Sequence, residues 1–187
     1  MSGFEFEELS LQGAYYIKNF CHKDGRGNFI KCFEKEIFTK AGIKFSLNET
    51  FVSISAKNVI RGLHFQINNP QSKLVSVVQG KAWDVIVDLR PDSQTYKKWF
   101  GKNLCAEENN AFYVPKGFAH GFASLEDDTI MLYQCEGAYD KMSDTGIRYD
   151  DREVGIEWPL DLKDAIISQR DSNLMSFEEY QHMCTLL

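Results

Sequence analysis

The sequence predicts a mainly β fold, an antiparallel sandwich or barrel with short helices at its periphery, and three observations carry that expectation. Short runs rich in Val, Ile, Phe, Tyr and Trp recur along the chain. Turn chemistry closes each run. Helical patterning is confined to a few short segments. The chain has 187 residues and 43 % hydrophobic content, which suits one domain spanning residues 1–187 with a sizeable core. No stretch reads as a linker, a repeat or a low-complexity segment.

In chain order, a helix is expected near Glu34–Ala41. Strands are expected at Leu74–Val78 and Ala82–Leu89, separated by the turn Gln79-Gly80-Lys81, and at Ala111–Val114, closed by Pro115-Lys116-Gly117. Ile130–Cys135 reads as a further strand and Asp161–Gln169 as a short helix. Ser176 and Glu179 have capping-box spacing ahead of a C-terminal helix over Tyr180–Leu187.

Composition narrows the function. The 21 basic and 27 acidic residues give a formal charge of −6, a poor electrostatic footprint for a nucleic-acid binder. A small anionic ligand is still allowed, because a local cluster of Arg and Lys decides that. No apolar run reaches the roughly 20 residues that cross a bilayer, so no membrane partner is expected. The acidic start Met-Ser-Gly-Phe-Glu-Phe-Glu-Glu has no signal-peptide pattern. Five widely spaced cysteines without a Cys-x-x-Cys pair read as reduced, cytoplasmic thiols.

Two stretches place a site. The first runs from Gly62 to Gly80 and contains His64, Gln66 and Lys73; the second is Val114-Pro115-Lys116-Gly117-Phe118-Ala119-His120-Gly121. Together they resemble the two motifs of the cupin superfamily, which implies a jelly-roll barrel. In metal cupins the first motif supplies His-x-His and a Glu. Here Gln66 takes the place of the second His, and Lys73 stands where the Glu belongs. An ammonium is repelled by a divalent cation in a low-dielectric pocket, and two histidines are too few for a normal site. No metal and no other cofactor is expected.

Arg61-Gly62-Leu63-His64-Phe65-Gln66 resembles the signature of the dTDP-4-dehydrorhamnose 3,5-epimerase family. The resemblance continues through Asp24–Gly27, Lys73-Leu74-Val75, Trp83–Arg90, Pro115–Gly121, Tyr133, Gly155–Leu160 and Ile167–Asp171. It implies a cofactor-free isomerase acting on a nucleotide-linked 4-keto sugar. The C–H bonds on C3 and C5 flank the ketone and are acidified by it. Inversion needs a base on one face, an acid on the other and a cation for the enolate oxygen. By resemblance, His64 is the base, Asp171 orients its imidazole, Tyr133 is the acid, and Lys73 holds the developing oxyanion. His120 and Gln66 are expected at the sugar, and Arg26, Arg61 and Arg170 at the diphosphate, where guanidinium forks suit phosphate oxygens. The resemblance also implies a homodimer, with N-terminal strands contributed across a two-fold interface.

The nucleotide-facing positions depart from the family pattern. Lys31 stands where the family has Glu, Glu49-x-Phe51 replaces Gln-x-Asn, and Asp144 replaces another Glu. Because a carboxylate such as Glu49 can accept from the N1–H and N2–H₂ groups of guanine, a GDP-linked 4-keto sugar is an expectation beside the dTDP-linked one. GDP-linked 4-keto-heptoses of bacterial capsule are one such class handled by relatives. The competing readings are an epimerase acting at C3 alone or C5 alone, a metal-dependent cupin oxygenase or isomerase, and a silent sugar-binding cupin.

Overall fold

A computed structural model describes residues 3–186, the side chain of residue 186 excepted. The strands are β1 (Glu5–Glu8), β2 (Tyr15–Lys18), β3 (Phe20–Asp24), β4 (Gly27–Lys31), β5 (Glu49–Ser55), β6 (Ile60–Gln66), β7 (Ser72–Gln79), β8 (Lys81–Asp88), β9 (Trp99–Cys105), β10 (Asn110–Val114), β11 (Phe118–Ser124), β12 (Thr129–Glu136) and β13 (Asp144–Gly146). Helix α1 covers Lys35–Lys40, α2 covers Gln169–Ser172 and α3 covers Phe177–Leu186.

The strands form two antiparallel sheets, ordered β1-β2-β10-β7-β12-β5 and β13-β6-β11-β8-β9, with β3 and β4 standing apart as a hairpin. The two sheets make the mainly β, jelly-roll sandwich expected from the sequence. Phe112, Met131, Ile86, Leu104 and Phe122 are fully buried between them. A second cluster, with Leu63, Val85, Val87, Phe177 and Tyr180, lies under α3 on the outer face of the smaller sheet. Strand β8 is therefore covered on both faces, and this is why Ala82–Leu89 reads as a nearly unbroken apolar run. Gly80 supplies the positive φ of 74° that the β7–β8 turn needs.

Strands β6 and β11 approach each other unusually closely. A Cβ on Gly62, whose φ is +116°, would lie 2.6 Å from the Gly121 Cα and 2.7 Å from the His120 carbonyl oxygen. Both strands carry glycine at the contact, and the pairing register shifts just beyond His120. The result places His64 and His120 as direct cross-strand partners.

Two expectations at the C-terminal end are corrected in detail. Asp161–Gln169 is not a helix; only a 3-10 turn at Leu162–Asp164 forms there. Beyond it, the Ile166 N–H donates to the Asn58 carbonyl at 2.9 Å and the Ile166 carbonyl accepts from Ile60 N–H at 3.1 Å. This bridge to the β6 end uses the backbone groups that a helix would have needed. Helix α3 begins at Phe177, earlier than expected. The Ser176 hydroxyl accepts from Glu179 N–H at 3.1 Å, while the Glu179 carboxylate accepts from Ser176 N–H at 2.7 Å, a reciprocal capping box. Residue 187 lies outside the described residues.

Candidate active site

Alternation along β6 decides what faces the sandwich interior. Leu63 and Phe65 pack outward under α3, so His64 and Gln66 point inward. There they line a cavity of about 430 Å³ together with Lys73, His120, Tyr133, Glu49, Arg61 and Arg170. Eight of the ten residues expected at the site therefore share one cavity. Asp171 stands directly behind His64, and Arg26 is elsewhere.

His64 is held by a carboxylate. Its Nε2 lies 2.9 Å from Asp171 Oδ1, across 107 residues of sequence. The other Asp171 oxygen accepts from Gly62 N–H at 3.1 Å, and Ser168 caps α2 by accepting from Asp171 N–H at 3.0 Å. Burial alone would raise the pKa of Asp171. The His64 hydrogen bond and charge, the Gly62 N–H and Arg170 outweigh it and hold the carboxyl below its usual range. With Nε2 engaged, Nδ1 is the ring nitrogen left to take a proton.

Tyr133 faces this pair from the opposite sheet. His64 comes from β6 of the five-stranded sheet and Tyr133 from β12 of the six-stranded one. The Tyr133 and His120 rings meet edge to face at 5.9 Å. Burial, the largest cause, raises the Tyr133 pKa well above that of a free phenol, with the charge of Asp84 adding to it. The phenol therefore stays protonated and able to donate. Lys73, on β7, forms no ion pair among the described residues. Burial lowers its pKa, and Arg170 adds to this; Cys135, Asp144 and Glu49 oppose it.

His120 is anchored in a second histidine–carboxylate pair, its Nε2 lying 2.8 Å from Asp84 Oδ2. Asp84 is 0 % exposed, and its other oxygen has no hydrogen-bond partner among the described residues. Burial raises its pKa, against the pull of His120 and Lys73. The sequence carried a signal for this residue, because a carboxylate in the middle of the apolar run of β8 demands a buried partner.

The guanidinium groups divide. Arg61 donates to the Ser55 hydroxyl at 3.1 Å and the Ile54 carbonyl at 3.3 Å, which holds it at the cavity wall. Arg170 pairs with Asp144 at 2.9 Å, and Tyr139 donates to the same carboxylate at 3.1 Å. Arg26 is not brought to the cavity by its own chain. Its side chain is 90 % exposed at the β3–β4 turn and pairs with Asp24 at 2.6 Å. Gln66 lines the cavity, but its amide is committed to the backbone of Asn69, Ala138 and Asp140. Glu49 accepts from Gln71 at 3.0 Å. Phe51, Ser53 and Tyr139 also line the cavity; the sequence reading placed Phe51 among the nucleotide-facing positions and gave the other two no role. The first two follow from period-two alternation along β5, which carries Glu49, Phe51 and Ser53 on one face.

Among the described residues no group of three or more His, Cys, Asp or Glu side chains could hold a metal ion. No helix among them is long and apolar enough to cross a membrane.

The chain is similar to known proteins over nearly its whole length. The family model described as dTDP-4-dehydrorhamnose 3,5-epimerase matches residues 8–179. A dTDP-4-dehydrorhamnose 3,5-epimerase of Methanothermobacter thermautotrophicus is 42 % identical over 180 residues, covering 96 % of this chain and 97 % of the relative. The crystal structure of a dTDP-6-deoxy-D-glucose-3,5-epimerase from Legionella pneumophila, in complex with dTDP-4-keto-L-rhamnose, superposes with a TM-score of 0.90 at 33 % identity, covering 94 % of this chain and 93 % of that one. A 3′-monoepimerase from Streptomyces bikiniensis, in complex with dTDP-quinovose, gives 0.87 at 31 % identity, with 94 % and 89 % covered. With its folded core, its cavity and these relatives in agreement, the chain belongs to the dTDP-4-dehydrorhamnose 3,5-epimerase family and is an isomerase.

Proposed function

We propose that the chain, acting as one epimerase domain, inverts both C3 and C5 of a dTDP-linked 4-keto-6-deoxyhexose, the step that forms a rhamnose-type sugar. The observation that carries this reading is the opposition of His64, backed by Asp171, and Tyr133 across one cavity. His64 Nδ1 takes the proton from the carbon beside the ketone, and the C–H electron pair becomes the enolate. Asp171 stabilises the resulting imidazolium and fixes the ring. Lys73 faces the enolate oxygen, where an ammonium lowers the barrier most if it is already in place, and His120 stands beside it at the sugar. Tyr133 delivers a proton to the opposite face, and inversion follows. Arg61 and Arg170 hold the diphosphate.

The names of the relatives support the dTDP-linked substrate. A GDP-linked sugar rests on Glu49 alone, and that carboxylate already accepts from Gln71. Incubation with dTDP- and GDP-linked 4-keto-6-deoxyglucose, followed by NMR of the product ring, tests both points. The expected result is turnover of the dTDP sugar to a product inverted at C3 and C5. Inversion at a single carbon, or a preference for the GDP sugar, would contradict it.

We also propose that the protein acts as a homodimer. The β3–β4 hairpin leaves Phe29 and Ile30 exposed, and the edge strand β5 leaves Val52 and Ile54 exposed. A hairpin from a second copy laid against β5 covers both patches and carries a second Arg26 to the cavity mouth.

A further inference from the structure

We propose that Phe51 is a positioning residue for Tyr133, holding the phenol where its proton reaches the sugar rather than solvent. The inference deepens the reading above and rests on it.

Phe51 and Tyr133 are direct cross-strand partners of β5 and β12. Their ring centroids are 4.7 Å apart and the planes meet at 14°, a stacked pair. His120 meets the Tyr133 ring edge-on. The phenol is therefore gripped by a flat aromatic and by an imidazole that Asp84 fixes in turn. Stacked and edge-on contacts restrict a two-torsion side chain more than aliphatic neighbours do. Phe51 is itself 46 % exposed, so core formation does not explain a large aromatic at this wall. Two residues on, the Ser53 hydroxyl is buried without a hydrogen-bond partner among the described residues. Ser53 lines the same cavity wall as Tyr133.

The consequence lies in the second half of the reaction. When Tyr133 acts, its O–H bond breaks and a C–H bond forms on the far face. The O–H electron pair stays on the phenolate, which regains a proton from solvent while the His64 imidazolium gives its own up to solvent, and both groups are restored. If the ring swings off its stack, the hydroxyl leaves the carbon. The imidazolium, having traded its proton with solvent, then returns one to the face it left, giving exchange without inversion.

The test is the partition between those two fates. Wild type, F51L, F51M and F51W are run in D₂O with dTDP-4-keto-6-deoxyglucose, and NMR compares deuterium in recovered substrate with inverted product. F51L and F51M are expected to raise that ratio by about threefold to tenfold, the worth of one aromatic pair, with KM unchanged within about twofold. F51W keeps a stacking face and is expected to hold the wild-type ratio. Two results would overturn the proposal: an unchanged ratio in F51L and F51M with a raised KM, which makes Phe51 a wall for the substrate, or a ratio in F51W raised as far as in F51L. Failure of the underlying reading is distinct, because the wild type would then incorporate no deuterium at either carbon.

Discussion

His64, Tyr133 and Lys73 differ in how much of their chemistry the sequence could convey. The family resemblance implied a base, an acid and an oxyanion holder at these positions. The family resemblance also paired Asp171 with His64, and the structure puts the two in contact, whereas the reading of the sequence did not assign Asp84 to His120. The close β6–β11 contact, which two glycines make possible, sets the two histidines side by side. Lys73 yields a prediction with a definite sign. Burial lowers its pKa, and the proposed mechanism uses the ammonium, so activity is expected to fall as pH rises through that lowered value. The alkaline limb of kcat/KM is expected below the ordinary lysine value of about 10.4. Tyr133, whose pKa is raised, still holds its proton there. In Lys73→Arg the residual activity should lose this limb, because a guanidinium remains charged. The same limb in both proteins would assign it to another group.

At the scale of elements, strand runs closed by turn residues were legible. Leu74–Val78, Ala111–Val114 and Ile130–Cys135 lie within observed strands, and Ala82–Leu89 overruns β8 by its last residue alone. The C-terminal cap was legible because its two hydrogen bonds are local. The stretch after Asp161 was not, because its backbone bonds go to Asn58 and Ile60, partners that exist only after folding. The end of β8 carries a testable stability device. Asp88, with no exposed side-chain surface, accepts from Arg90, Ser93 and Thr95. Burial opposes ionisation, but these donors together hold its pKa at about 2. The folded value lies below the unfolded one, so the stabilisation is complete above about pH 4 and is lost as pH falls toward 2. Asp88→Asn is expected to cost about 2 kcal/mol at pH 7, with the difference from wild type closing below pH 4. Urea denaturation across that range measures it, and a constant difference would refute the electrostatic account.

At the scale of the whole molecule, the proposed base and acid owe their opposition to the sandwich itself. His64 and Tyr133 sit on different sheets, and facing sheets lie about 10 Å apart, room for one sugar ring. The one expected contact that the single chain does not make is Arg26. The proposed dimer accounts for it, and predicts that light scattering gives twice the chain mass. Arg26→Ala is expected to raise KM about tenfold, the cost of one charged phosphate contact, with kcat little changed. A monomer with full activity would remove that part of the account. The central claim is that one imidazole starts the chemistry at both carbons, and deuterium incorporation in D₂O addresses it most directly. Wild type should label C3 and C5 of the 4-keto sugar, whereas His64→Asn should lower labelling at both by roughly 100-fold to 10,000-fold, with nucleotide-sugar binding retained. Undiminished labelling at either carbon in His64→Asn would contradict the account.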